Sequence, residues 1–362
     1  MPAFLLRHAI VLIAAAALST SAIAQKPTRK TPPRAPAAAA AAAQPAIFYD
    51  QRADAMQFAD DLAARRDLDR EWVRQAIGQA RFLSQVPRLM LPSPVGTPKN
   101  WRAYRSRFVE PVRIRAGARF WRDHADTLAR AEREYGVPAE MIVGIIGVET
   151  IYGQQMGSFR VIDALATLSF DFPTAHPRAA ERVAFFRGEL EQFLSLMQRT
   201  NADPLEPRGS YAGAMGLGQF MPSSWARYAV DFDGDGRIDL FNSPADAIGS
   251  VANYFKGHGW ITGMPTHYAV EFDPARLRLE ELLAPDILPT FTVARMAELG
   301  ALVQGDGATH GGPLALVELQ NGVGSPVFFA GTQNFYTVTR YNWSSYYAMA
   351  VIELGREVNA AR

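Results

Sequence analysis

Twelve residues, DFDGDGRIDLFN from Asp231 to Asn242, constrain the backbone more tightly than any other part of this chain. Asp231, Asp233 and Asp235 stand at positions 1, 3 and 5 of a calcium-type loop, with Gly236 at 6, Ile238 at 8 and Asp239 at 9. That spacing wraps oxygens around one hard cation, and the glycine permits the sharp turn. Arg237 at position 7 contributes only its backbone carbonyl, so its charge is of no consequence there. Position 12 departs from the pattern: Asn242 replaces the bidentate glutamate, and Asp246 is a candidate for the missing carboxylate alongside Asp239. Helices predicted from Trp225 and from Pro244 flank the loop. A metal-free Asp/Gly turn is the competing reading. If Ca2+ binds, it is expected to be structural, because a carboxylate-saturated site leaves little room for a substrate.

A second stretch, VGIIGVETIYG from Val143 to Gly153, places one carboxylate at the end of an apolar run. On a helix, Glu149 shares a face with Ile142, Ile145 and Ile146. Gly144 and Gly147 allow a neighbouring backbone to approach. A carboxyl held against isoleucines loses hydration, which raises its pKa and suits it to act as a general acid. On this helix alone, a structural glutamate paired with an arginine or capping a backbone group is an equally good reading.

The N-terminus carries a different message. Arg7, the apolar run Ala9 to Leu18 and the small-residue site Ala22-Ile23-Ala24 read as a secretory signal peptide over residues 1–24, with an uncleaved anchor as the alternative. Residues 25–46 are rich in Pro and Ala, hold four basic residues and no acidic ones, and read as a linker. Cysteine is absent, so there are no disulfides and no thiol for a lipid. A soluble, exported, periplasmic protein is expected. Beyond residue 46 the acidic residues outnumber the basic ones by about four, which does not suggest nucleic acid as a partner.

Apolar spacing predicts two amphipathic helices between Phe48 and Leu83, one long helix over 116–135 stopped by Gly136, and a further helix begun by Pro138 and ending near Gly153. Helices are also predicted at 161–169, 179–199, 222–230, 244–257, 291–299 and 343–360. Residues 264–340, broken by Gly and Pro, contain β-rich runs such as PVFFAG and FYTVTRY. The fold class is mainly α with a small β-containing insert.

Around Ser210 and Gln219 the segment GSYAGAMGLGQFMPSSW combines small residues, over which a ligand can approach the backbone, with a hydroxyl and an amide. A tight loop between helices accounts for it equally well. WRAYRSRF (Trp101 to Phe108) and RYNWSSYY (Arg340 to Tyr347) mix rings with polar groups, a combination that suits sugars and also suits a core. No zinc-protease, nucleophile-elbow or cysteine signature is present, the histidines are scattered, and no organic cofactor is called for.

Together, GIIGVETIYG, DALATLSFDFP, GSYAGAMGLGQFMPSSW, the DFDGDGRIDL loop, DAIGSVANYFKGHGW and NFYTVTRYNWSSYYAMAV resemble the lytic murein transglycosylase B family, in the same order from Phe48 to the C-terminus. The resemblance implies a lysozyme-like catalytic core within 138–258, including the EF-hand-like loop 231–246. It also implies an N-terminal α part at 47–137, a small β-containing part at 259–340, and a C-terminal helix at 341–362 packing on the α part. It implies cleavage of the MurNAc–GlcNAc β-1,4 bond of peptidoglycan glycan strands. By the same resemblance Glu149 falls on the single acid/base, and Ser210 and Gln219 on residues that orient the sugar. Tyr104, Tyr341, Asn342 and Tyr347 fall on the glycan groove, and Asp231, Asp233, Asp235, Arg237 and Asp246 on the ion site. A glycosidase usually needs two carboxylates. The next acids after Glu149, Asp163 and Asp171, show no sign of partnership, so an intramolecular 1,6-anhydro product is expected. A hydrolytic muramidase and an inert peptidoglycan-binding protein are the alternatives.

Overall fold

The computed structural model describes residues 46–92, 96 and 98–362. The predicted signal peptide and all but the last residue of the linker lie outside the described residues. No described helix is long and apolar enough to cross a membrane.

In chain order the N-terminal helices are α1 (Ala53–Arg66), α2 (Arg70–Gly78), α3 (Val86–Leu89), α4 (Trp101–Phe108), α5 (Pro111–Asp123) and α6 (Ala125–Tyr135). Then come α7 (Ala139–Thr150), β1 (Phe159–Arg160), α8 (Val161–Phe170), α9 (Ala179–Arg199), β2 (Arg208–Gly209), α10 (Pro222–Tyr228) and α11 (Pro244–Gly257). The remainder is β3 (His267–Phe272), α12 (Leu279–Leu283), α13 (Val293–Glu298), β4 (Ala301–Val303), β5 (Ala315–Asn321), β6 (Gly324–Gly331), α14 (Gln333–Thr339) and α15 (Ser345–Ala361).

Helix α7 is the axis of the molecule. Ten of its twelve residues are buried, leaving only Glu140 and Glu149 partly accessible. A helix apolar on all sides must be wrapped by others, and α15 crosses it most closely. A methyl group at Gly144 would overlap the Val351 carbonyl, and one at Gly355 would overlap the Glu140 carbonyl. Two missing side chains therefore set the separation of the helices. Helix α15 also packs on α4 and α5, so it joins the N-terminal helices to the central one.

The antiparallel sheet, in the order β4-β3-β6-β5, has its own small core of Leu282, Met296, Leu299, Ala301, Val303, Leu314, Leu316 and Ala330. The larger core runs through the helices and also takes in Ala315, Val317 and Leu319 of β5 and Phe329 of β6.

Helices 179–199 and 244–257 lie where the periodicity places them. Two expectations need correction. The single helix over 116–135 is two, broken at His124, whose φ of −125° and ψ of 26° leave the helical region. The first of these also starts earlier, because the Glu110 side chain accepts from the Val112 and Arg113 amides ahead of Pro111 at the first helical position. The run FYTVTRY is helical up to Thr339 rather than β. Thr332 caps α14 through the Asn334 amide, and burial of Phe335 and Val338 on one face outweighs the β-branched composition. Separately, Trp101 to Phe108 forms a helix of its own, capped by Asn100.

Candidate active site

Glu149 occupies the last turn of α7. The helix stops at two successive left-handed residues, Ile151 (φ 51°) and Tyr152 (φ 56°), whose amides return to Gly147 O and Ile146 O. Thr150 is fully buried and donates its hydroxyl to Leu217 O at 2.8 Å, tying the helix end to the 209–221 loop. Leu217 N in turn donates to Leu240 O inside the acidic loop. Two hydrogen bonds thus connect the acidic loop to the residue beside Glu149.

The Glu149 side chain is half-buried. Desolvation pushes its pKa up to about 7, opposed by a hydrogen bond from Tyr347, whose hydroxyl donates to Oε1 at 2.5 Å. Tyr347 stacks on Tyr341, ring centroids 6.5 Å apart and 16° from parallel, and the Tyr341 hydroxyl donates to Gly218 O at 2.5 Å. Tyr104, Tyr254, Tyr341 and Tyr347 all feel the glutamate's charge, and burial raises every one of their pKa values. These phenols stay neutral donors at any physiological pH. Tyr254 is the member missed in the sequence. It lies in the helical run DAIGSVANYFKGHGW, where spacing alone does not separate it from a core aromatic such as Phe255.

Ser210 and Gln219 belong to the same loop, yet neither hydrogen-bonds Glu149. Ser210 Oγ accepts from the Ala212 and Ala214 amides at 3.3 and 3.0 Å. Gln219 is left-handed (φ 52°) and its amide nitrogen donates to Met156 O and Gly216 O at 3.2 and 3.0 Å. Both side chains are held in place by backbone groups, which leaves the serine proton and the glutamine oxygen for a ligand. Asn342 is buried in the turn between Tyr341 and the start of α15.

The two other acids considered above are engaged elsewhere. Asp163 receives Arg160 through both oxygens and caps the Arg81 amide. Asp171 receives the Tyr49 hydroxyl and Arg52 at 2.6 and 2.9 Å.

In the acidic loop, carboxylate oxygens of Asp231, Asp233 and Asp246 lie within 4.8 Å of one another. Asp246 is 1 % exposed and accepts the Phe232 and Asp239 amides, at 2.7 and 2.8 Å, and makes no ion pair with a cationic side chain among the described residues. A buried carboxylate facing two others fits a hard cation. Asp239 instead folds back onto the Phe241 and Asn242 amides, and Asp235 accepts from Arg237 N. Asp246 therefore completes the cluster and Asp239 caps the loop.

Residues 50–356 match the model of the transglycosylase SLT domain family. The chain is 43 % identical over 318 residues to the membrane-bound lytic murein transglycosylase B of Escherichia coli K12, covering 85 % of this chain and 83 % of that one. Among solved structures, the E. coli lytic transglycosylase SLT35 in complex with calcium superposes with a TM-score of 0.74 at 42 % identity, covering 87 % and 95 % of the two chains. The soluble lytic transglycosylase SltB1 of Pseudomonas aeruginosa gives a TM-score of 0.75 at 41 % identity, covering 85 % and 99 %.

Proposed function

The chain belongs to the transglycosylase SLT domain family and is a peptidoglycan lytic transglycosylase, and we propose that it cuts the MurNAc–GlcNAc β-1,4 bond with Glu149 as its single acid and base. The observation that carries this reading is a lone desolvated carboxyl on a ring of neutral tyrosines, with Asp163 and Asp171 both neutralised by arginines elsewhere. Glu149 gives its proton to the glycosidic oxygen, and the bonding electrons leave with that oxygen as the GlcNAc 4-hydroxyl. Glu149, now a carboxylate, takes the proton of the MurNAc 6-hydroxyl, whose oxygen closes on the anomeric carbon. The product is a 1,6-anhydro end, no water is consumed, and Glu149 is again protonated. A pKa near the working pH serves both halves of the cycle.

In this reading Tyr347 orients the carboxyl, Ser210 donates to the sugar and Gln219 accepts from it. Tyr104, Tyr254, Tyr341 and Asn342 line the groove. Asp231, Asp233 and Asp246 hold a structural Ca2+, which would bind the loop connected through Leu240 and Leu217 to Thr150. The calcium-bound relative and the carboxylate cluster support this assignment. The sequence features of residues 1–24 support export to the cell-wall compartment, periplasmic in a cell with two membranes.

The test is product mass. Purified protein acting on peptidoglycan should release muropeptides with anhydro ends, and exclusive release of reducing ends would show a hydrolase instead. Glu149→Gln should bind glycan and lose turnover, whereas an active Gln variant would move the chemistry to another residue.

A further inference from the structure

Behind Glu149, on the side away from the tyrosine ring, Tyr152 fills a slot made by glycines. Its hydroxyl lies so close to the backbones of Gly117 on α5 and Gly147 on α7 that a methyl group at either position would overlap it. The same methyl groups would meet Val358 and Leu354 of α15. The Tyr152 ring therefore sits where α5, α7 and α15 converge, with Phe120 against it at a centroid distance of 5.2 Å.

Three further facts bear on what the ring does there. The Tyr152 hydroxyl is buried and has no hydrogen-bond partner, an arrangement that costs free energy. The residue is the second of two consecutive non-glycine residues in the left-handed region, each of which is strained. And the Gly147 carbonyl beside the ring accepts both Ile151 N at 3.2 Å and the Nε of buried Arg113 at 2.8 Å, while Arg113 Nη1 donates to Arg107 O at 2.7 Å. A strained turn and an unsatisfied hydroxyl persist only where the surroundings over-determine them.

We propose that Tyr152 is a positioning residue. Its ring, wedged between Gly117 and Gly147, holds the end of α7 in the strained turn that aims Glu149 into the tyrosine ring, and Arg113 clamps the same carbonyl from α5. Ring volume performs this task, since the ring's Cζ also lies within 3 Å of a methyl group at either glycine, and the hydroxyl adds no hydrogen bond to it. The inference rests on Glu149 being the acid/base, so Glu149→Gln is measured in parallel. If that variant turns over, the catalytic assignment fails whatever Tyr152 does.

The experiment is a pH series of kcat and KM on soluble peptidoglycan fragments, with melting temperatures, for Tyr152→Phe and Tyr152→Met. The groups facing Glu149 are Tyr104 from α4, Tyr254 from α11, Tyr341 and, from α15, Tyr347; those behind it are Tyr152 and Arg113. None of the tyrosines titrates near neutrality, so a moved alkaline midpoint reports on Glu149. Tyr152→Phe should match the wild type in kcat and midpoint. Tyr152→Met should lower kcat roughly tenfold to a hundredfold with KM within about twofold, and move the midpoint down as water reaches the carboxyl. An active Met variant with an unchanged midpoint overturns the proposal, as does a Phe variant that loses kcat. Should Tyr152→Met not fold, Gly117→Ala, which presses on the ring from α5, should lower kcat and move the midpoint, and an unchanged profile there overturns it equally.

Discussion

The Tyr347 hydroxyl donates to Glu149 Oε1 at 2.5 Å across a sequence separation of 198 residues. The contact favours the carboxylate form, while the apolar surroundings favour the acid, and the balance leaves the pKa near 7. Removing the phenol oxygen tips that balance one way. In Tyr347→Phe the Glu149 pKa should rise further, so the alkaline limb of the kcat profile should move to higher pH. The carboxylate also loses its orienting donor, and kcat at the optimum should fall roughly tenfold to a hundredfold. A pH–rate profile checks both effects, and an unmoved alkaline limb would contradict the first.

Glu149 also carries a stability consequence. Its folded-state pKa of about 7 lies above the ordinary 4.5, so the folded protein binds the extra proton between those values. The cost of burying the charge is absent below about pH 4.5, grows as pH rises, and is complete above about 7, at about 3 kcal/mol. Glu149→Gln should therefore raise the melting temperature more at pH 8 than at pH 5. Equal gains at both pH values would mean that burial does not hold the carboxyl protonated.

The α7–α15 crossing leaves no room for a methyl group at Gly144, where the atom in the way is the Val351 carbonyl of the backbone. Backbone cannot rotate aside as a side chain can. Gly144→Ala should destabilise the fold by about 1–3 kcal/mol, and Gly355→Ala, facing the Glu140 carbonyl, should do the same. Gly188→Ala, with nothing within 4 Å of the added methyl, is the control and should be neutral or stabilising. Chemical denaturation of the three variants measures this directly.

Calcium should stabilise the fold with the logarithm of its concentration, by about 2.7 kcal/mol at a hundredfold excess over Kd, with a matching rise in melting temperature that a chelator reverses. Asp246→Asn should abolish the calcium response. Asp239→Asn, which removes a charge and the Oδ2 acceptor of the Asn242 side chain outside the carboxylate cluster, should weaken the loop while leaving a response. A calcium response that survives Asp246→Asn would place the ion elsewhere.

Part of this protein was decided locally. The aspartate spacing of 231–235, the proline that opens α11, the periodicity of α9 and the isolated glutamate in VGIIGVETIYG all act within one or two turns of chain, and each could be read where it stood. Local patterning failed at His124, where one residue leaves the helical region, and at FYTVTRY, where burial of Phe335 and Val338 overrides β propensity. The site itself needed the whole fold. Tyr347 meets Glu149 because α15 crosses α7 at glycine distance, Tyr104 and Tyr254 reach its surroundings from α4 and α11, and Asp171 is held by Arg52 from 119 residues away. Residue types and short spacings follow from chain order. Desolvation and the pairing of charges depend on which distant segments share a volume, and the tertiary structure alone decides that.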